Sequence, residues 1–174
     1  MNTSWLGDES GRLLDFGRGF AHPLGGAAWL RADGTPDLGA PVYTWITARM
    51  AHVYSLGHLL GVPGAGPLAD AALAGLTGIL HDRDNGGWYP SVAPDGRPEA
   101  GKSCYDHAFV VLAAFDVTGR PDCLHRALAI TERTVGWGRR YGWRLPEHFD
   151  AQWNPRPDYH RERPQDPFKP CRPC

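Results

Sequence analysis

No run of this sequence approaches the roughly 18 consecutive apolar residues of a spanning helix, so no membrane segment is expected. An excess of charge of either sign is also missing. Lys and Arg number 18 against 19 Asp and Glu, the formal net charge is −1, and the basic residues are dispersed, which gives no electrostatic footing for nucleic acid or an anionic bilayer. The four cysteines (Cys104, Cys123, Cys171 and Cys174) are too few and too clustered to staple a chain of 174 residues. Cys171 and Cys174 have CxxC spacing, but without a second pair or a ligand-spaced histidine they make a poor zinc site. The opening MNTSWLGDESGRLLDF holds acids and lacks the basic start of a secretory leader, which predicts a cytoplasmic protein. Gly-rich phosphate loops, GxSxG elbows and HExxH are absent too, and with them the reaction classes they serve.

The sequence does have helical periodicity. Trp5 to Phe16 reads as a first helix with Leu6, Leu13 and Leu14 inward, weakened by Gly7 and Gly11. Phe20 to Gly39 is turns and short extended pieces. A second helix follows Val42 and stops at the Gly61–Pro67 linker, and a third covers Leu68 to His81 with Ala69, Leu73, Leu76 and Leu80 at helical spacing. Asp82 to Gly87 is a turn and Trp88 to Val92 a short strand. Ser103 to about Phe115 is a fourth helix with Tyr105, Phe109 and Leu112 on one face, and Arg120 to Val135 a fifth. From Gly136 the apolar period disappears, and six of the 16 prolines fall in the last 20 residues. These readings predict one all-α domain of antiparallel helical hairpins with a single short β excursion.

The second helix carries a charge where apolar residues are expected. Ile46, Met50, Val53, Gly57 and Leu60 form one stripe at about 100° per residue, and Arg49 falls inside it. A guanidinium cannot escape burial by losing its proton, so it needs a carboxylate, carbonyls or a hydroxylated or anionic ligand. Two readings compete: a structural ion pair, or a ligand-facing Arg on the inner wall of a helical cavity. Trp88, after the Gly86–Gly87 turn, is either a sugar-stacking ring or an apolar plug. Lys102, Tyr105, Asp106 and His107 open the fourth helix. His107 lies off the face of Phe109 and reads as structural, and Lys102 reads as a solvated cap residue. Glu147 to Tyr159, dense in Asp, Asn, Trp and His, has the composition of a site rim.

Four strings in order, WITARMAHVYS from Trp45, DRDNGGWYPSV from Asp82, GKSCYDHAFVVLAA from Gly101 and EHFDAQWNPRPDYHRERPQDPFKP from Glu147, closely resemble the N-acylglucosamine 2-epimerase family. Within it the chain looks most like the aldose–ketose isomerases acting on mannose or its sulfonated relatives, and the likeness covers most of Leu13 to Pro170. The resemblance implies an α/α toroid of helical hairpins around a monosaccharide pocket. It implies that Arg49 touches substrate oxygens, that Tyr105 faces the pocket and that no cofactor or metal is needed; Arg49, Tyr105 and Trp88 are the expected substrate-binding residues, with Arg49 mostly buried. The implied chemistry is proton transfer between C1 and C2 of an open-chain sugar through an enediol. Histidine suits such a step because its pKa lies near neutrality, and a nearby cation stabilises the developing oxyanion.

The chain also departs from the family pattern. Its AFDVTG follows GKSCYDHAFVVLA directly, which implies a junction near Ala113 to Phe115 and a missing hairpin that carries the catalytic His and Glu of HxxEA. The family's later PGHxxEW is absent as well, so the family's catalytic histidines are missing; neither His107 nor His148 matches their positions, and no catalytic residue is assigned. The expected form is therefore a partial toroid, residues 1–174, with an irregular tail from about Trp153 and self-association through its open edges. Its open side would carry Trp45, Arg49, Trp88 and Tyr105. The expected function is a sugar aldose–ketose isomerase by descent, inactive in this shortened form. The alternatives are a sugar 2-epimerase, a glycosidase using paired carboxylates, and a non-catalytic sugar-binding or pseudogene remnant.

Overall fold

The computed structural model describes residues 4–116 and 147–156, together with His125, Ala129, Glu132 and Arg139. In chain order the described elements are α1 (Ser4–Gly17), β1 (Trp29–Leu30), β2 (Pro36–Asp37), β3 (Val42–Tyr43), α2 (Thr44–Leu59), α3 (Ala65–Thr77), β4 (Ser91–Val92), β5 (Lys102–Ser103), α4 (Cys104–Asp116) and β6 (His148–Phe149). The four helices expected here are present, but α3 begins at Ala65, inside the expected linker, and ends at Thr77 rather than at His81.

Helix α2 is the centre of the fold, packed on α3 and on α4. Its buried positions are Thr44, Thr47, Ala48, Ala51, Tyr54, Ser55 and Gly57. The stripe predicted from Ile46 to Leu60 is corrected by this finding: Val53 and Leu60 are exposed, while Ile46 and Met50 are half-buried. Small residues face the neighbours because two helices press on α2 from different sides, and close approach rewards Ala, Gly, Ser and Thr over bulk. The loop before β1 also comes close. A Cβ at Gly75 of α3 would lie 2.3 Å from the Gly26 Cα, so this contact admits only glycine.

The core includes Phe20, Val42, Tyr54, Leu73, Leu76, Leu80, Trp88 and Phe149, and within it the Tyr54 ring stacks on Phe20 at 5.4 Å. Helix α1 joins this core through Leu14 and through the Tyr54 hydroxyl, which donates to the Leu14 carbonyl at 2.7 Å. Leu6 and Leu13 are exposed, which corrects their predicted inward placement.

The single β excursion is also corrected, because the described residues hold three two-stranded antiparallel sheets: β1 with β2, β3 with β4, and β5 with β6. Two of them serve helix starts. The first N–H groups of a helix have no partner within it. The β3–β4 pairing brings Pro90 to α2, where its carbonyl accepts from the Thr44 N–H at 3.0 Å, and the Thr44 hydroxyl donates to the Tyr89 carbonyl at 2.5 Å. The β5–β6 pairing brings Glu147 to α4, where its carbonyl accepts from Cys104 N–H at 2.9 Å and its Oε1 from Tyr105 N–H at 3.0 Å. Strands of two residues are too short to show alternation in a sequence.

The predicted fifth helix lies mostly outside the described residues; the three positions described in it, His125, Ala129 and Glu132, are helical and exposed. Residues 157–174, including Cys171 and Cys174, lie outside them too, as does Cys123. Across the predicted junction, α4 runs without a break to Asp116. No helix among the described residues is long and apolar enough to cross a membrane.

Candidate functional site

Arg49 on the middle of α2 and Tyr105 on the first turn of α4 meet on the open side of the packed pair. The Arg49 Nη2 donates to the Tyr105 hydroxyl at 3.1 Å. The guanidinium carbon stands 4.1 Å from the Phe109 ring centre and 4.9 Å from that of Trp45. Arg49 is nevertheless exposed, which corrects the expectation of a mostly buried side chain. Stacking on two rings holds the planar cation in place while one face of the site stays open. Of the five N–H donors of a guanidinium, the described residues engage one.

Around Arg49 the rings form a continuous edge-on chain. Trp29 meets Tyr43 and Trp45, Trp45 meets Tyr105, each with centres 6.3 Å apart, and Tyr105 meets Phe109 at 5.0 Å. Tyr105 and Trp29 are about half exposed, at 48% and 46%. A cavity of ≈ 380 Å³ opens beside them between α1, β1 and α2, lined by Leu13, Trp29, Trp45, Arg49, Met50 and Val53 among others. A fixed cation with unused donors among exposed aromatic rings suits a hydroxyl-rich ring that offers apolar C–H faces.

Trp88 does not belong to this face. It is 2% exposed, its indole N–H donates to the Leu76 carbonyl at 2.6 Å, and it packs between His81 and His107. Of its two sequence readings, this buried position fits the apolar plug. Glycine is needed just before it. Gly87 sits at φ +77, and a Cβ there would lie 2.5 Å from the Trp153 ring and 2.7 Å from His107 Nε2.

His107 is buried, with both ring nitrogens engaged. Its Nε2 accepts from the Trp88 N–H at 3.0 Å and its Nδ1 faces the Ser103 carbonyl at 2.6 Å, an arrangement that suits the neutral ring protonated on Nδ1. Burial pushes its pKa down to about 4, against the Ser103 bond and with the help of the nearby Lys102 charge. A ring with both nitrogens committed and closed from solvent carries no proton to a substrate.

Lys102 is not a solvated cap. Its ammonium and the Asp82 carboxylate form an ion pair at 2.5 Å, both side chains fully buried, with the ammonium 4.7 Å from the Tyr89 ring centre. Burial by itself would raise the Asp82 pKa, but bonds from Lys102 and from the Asn85 backbone and side chain overcome it and hold the carboxyl well below its usual range. Asp82 thereby closes the 82–87 turn, accepting from the Asp84 and Asn85 N–H groups at 3.0 Å.

The Glu147–Tyr159 stretch reads from the sequence as a rim. Its described part is a latch. Glu147 caps α4, Phe149 is buried, and Trp153 is 7% exposed with its indole N–H donating to the Asn85 carbonyl at 3.1 Å. Sequence reasoning assigned no site role to Trp29 or Phe109. Phe109 shares a face with Tyr105 and was legible as a partner; Trp29 arrives through the β1–β2 hairpin, and nothing local signals its destination. Among the described residues no group of three or more His, Cys, Asp or Glu could hold a metal ion.

The site and its helices define an open face of aromatic rings around Arg49 on an α-helical scaffold, and comparison with known proteins identifies the family. The model of the N-acylglucosamine 2-epimerase family matches residues 25–115 and 110–173. The chain belongs to the N-acylglucosamine 2-epimerase family. It is 41% identical over 159 residues to a D-mannose isomerase of Thermobifida fusca, across 88% of this chain and 39% of that protein. It is 30% identical over 231 residues to a D-mannose isomerase of Pseudomonas cannabina pv. alisalensis, across 95% of this chain and 55% of that protein. Among solved structures, cellobiose 2-epimerase from Spirochaeta thermophila DSM 6192 superposes with a TM-score of 0.74 at 27% identity, over 87% of this chain and 41% of that one. The chain thus spans about 39–55% of the length of the curated relatives it matches.

Proposed function

We propose that this chain carries the sugar-contacting face of an aldose–ketose isomerase of the mannose–fructose type, with little or no turnover of its own. The observation that carries the reading is Arg49 held against Trp45, Tyr105 and Phe109 on an open face. A monosaccharide stacks an apolar face on these rings and offers hydroxyls to the guanidinium, which in an enediol reaction also stabilises the oxyanion. Identity to two D-mannose isomerases supports the isomerase over the 2-epimerase reading; the likeness to cellobiose 2-epimerase keeps the latter as the runner-up. Both reactions move a proton at C2. Among the described residues, the groups that Arg49 meets are an indole, a phenol and a phenyl ring, with no carboxylate or imidazole among them.

A missing hairpin near Ala113 to Phe115 belongs to the same proposal. The family matches fall in two segments that meet at residues 110–115. The 231-residue alignment to the Pseudomonas relative is longer than the 174 residues of this chain, so the relative holds residues with no counterpart here. The architecture proposed is accordingly a partial α/α toroid.

Purified chain incubated with D-mannose, and separately with D-fructose, is expected to give no interconversion above buffer when products are resolved by chromatography. General acid–base groups contribute about 10²–10⁴-fold to such rates. Turnover that disappears in H148A would reveal a working base on β6 and overturn the inactive reading.

A further inference from the structure

Helix α4 takes its N-terminal acceptors from two places. Ser103, the residue just before it, does the ordinary work of a capping hydroxyl: its Oγ accepts from the Asp106 N–H at 3.3 Å. Cys104 N–H goes to the Glu147 carbonyl at 2.9 Å, a main-chain bond that does not depend on which residue stands at 147. One bond is different. Tyr105 N–H donates at 3.0 Å to Oε1 of the Glu147 side chain, which arrives from 42 residues further along the chain. The Ser103 hydroxyl donates to the same oxygen at 3.3 Å, so one carboxylate oxygen steadies both the Tyr105 amide and the hydroxyl that caps Asp106.

The residue held in this way is the one that reaches across to α2. The Tyr105 hydroxyl accepts from Arg49 Nη2 at 3.1 Å, and its ring meets those of Trp45 and Phe109. Tyr105 is half exposed, so burial does only part of the work of fixing it. We propose that Glu147 is a positioning residue for this face: its carboxylate anchors the Tyr105 backbone in the first turn of α4 and thereby holds the Tyr105 hydroxyl and ring against Arg49 and Trp45. The proposal rests on the sugar-binding reading of that face. A cap that only stabilises the helix would serve any amide of the turn. Here Ser103 already serves Asp106, and the added carboxylate goes to the amide whose side chain lies on the site. A carboxylate also suits the place electrically, because the N-terminal end of a helix carries partial positive charge.

The test uses variants of the whole chain and three readouts. E147Q keeps a side-chain oxygen for Tyr105 N–H, E147M keeps the length without an acceptor, and E147A takes the place of E147M if that chain fails to fold. Amide hydrogen exchange at Tyr105 is expected to speed about three- to tenfold in E147M or E147A, as the loss of one capping bond implies, and to return close to wild type in E147Q. Cross-relaxation between the Tyr105 and Trp45 rings, read by NMR, is expected to weaken in the same variants and to return in E147Q. The dissociation constant for D-mannose, read by titration calorimetry, is expected to rise about three- to tenfold with them and to be rescued by E147Q. Faster exchange with ring contacts and mannose binding at wild-type values would show a cap that stabilises the helix and nothing more, and would overturn the positioning role. Unchanged exchange at Tyr105 would overturn it as well. A wild-type chain that binds no mannose would instead sink the sugar reading, and the ring contacts would then judge whether Glu147 places Tyr105.

Discussion

Replacement of Lys102 by Met is expected to destabilise the chain by about 3–5 kcal/mol, the usual cost of removing one partner of a buried pair. The pair itself is no large stabiliser. Burial lowers the Lys102 pKa even with Asp82 in contact, so its charged form is strained by the interior and tolerated because the carboxylate is there. Removing the ammonium leaves Asp82, fully buried, with only the turn it closes to satisfy it. The sign with pH follows. Asp82 has a folded pKa held below its unfolded value, so its contribution is present above about pH 4, the unfolded value, and is lost as pH falls through the folded value. Urea titration of wild type and K102M at pH 7 measures the cost. The double variant K102M/D82N is expected to recover about 1–3 kcal/mol of it, since the uncompensated charge has gone. A loss under about 1 kcal/mol in K102M would mean that water reaches the pair and that the interior here is not dry.

Replacement of Trp153 by Ala is expected to cost about 3–5 kcal/mol, the range for truncating a large buried aromatic side chain. The indole stands 4.9 Å from the His107 ring and 5.7 Å from that of Phe149, and it donates to the Asn85 carbonyl. It is held there by a backbone at φ +69, an unfavourable conformation for a bulky residue that the surrounding packing outweighs. Trp153 therefore ties the segment from Glu147 to Arg156 to the turn at Asp82 and to α4. W45A makes the contrast: Trp45 is only half-buried and lies on the face proposed to hold the sugar, so its loss is expected to weaken sugar binding more than it lowers the urea midpoint. A W153A chain as stable as wild type but unable to bind sugar would return the stretch to the role of a site rim.

Much of the helical framework was legible because four helices repeat apolar residues at helical spacing between Gly- and Pro-rich links. Arg49 and Tyr105 were legible as a pair only through the family resemblance, since they lie 56 residues apart and no local pattern joins them. Two readings parted from the structure for opposite reasons. The α2 stripe was assigned inward because bulk was equated with burial, whereas the helix is pressed from two sides and buries its Ala, Thr and Gly positions. Trp88 reads from the sequence as either a sugar-stacking ring or an apolar plug, and the Leu76 carbonyl and two imidazoles hold it inside. Lys102 and Asp82 show the limit most clearly. Twenty residues apart, each reads as a surface charge, and only the tertiary fold reveals that they bury one another.

The most direct measurement is a calorimetric titration of the purified chain and of R49M with D-mannose under the same conditions. The wild type is expected to bind saturably, and R49M to bind about ten- to a hundredfold more weakly, as the loss of about 1.5–3 kcal/mol of charge-assisted hydrogen bonding requires. The urea midpoint is expected to stay close to wild type, because Arg49 is exposed and outside the core. Equal mannose affinity in the two chains, or none in either, would contradict the assignment of this face to a sugar.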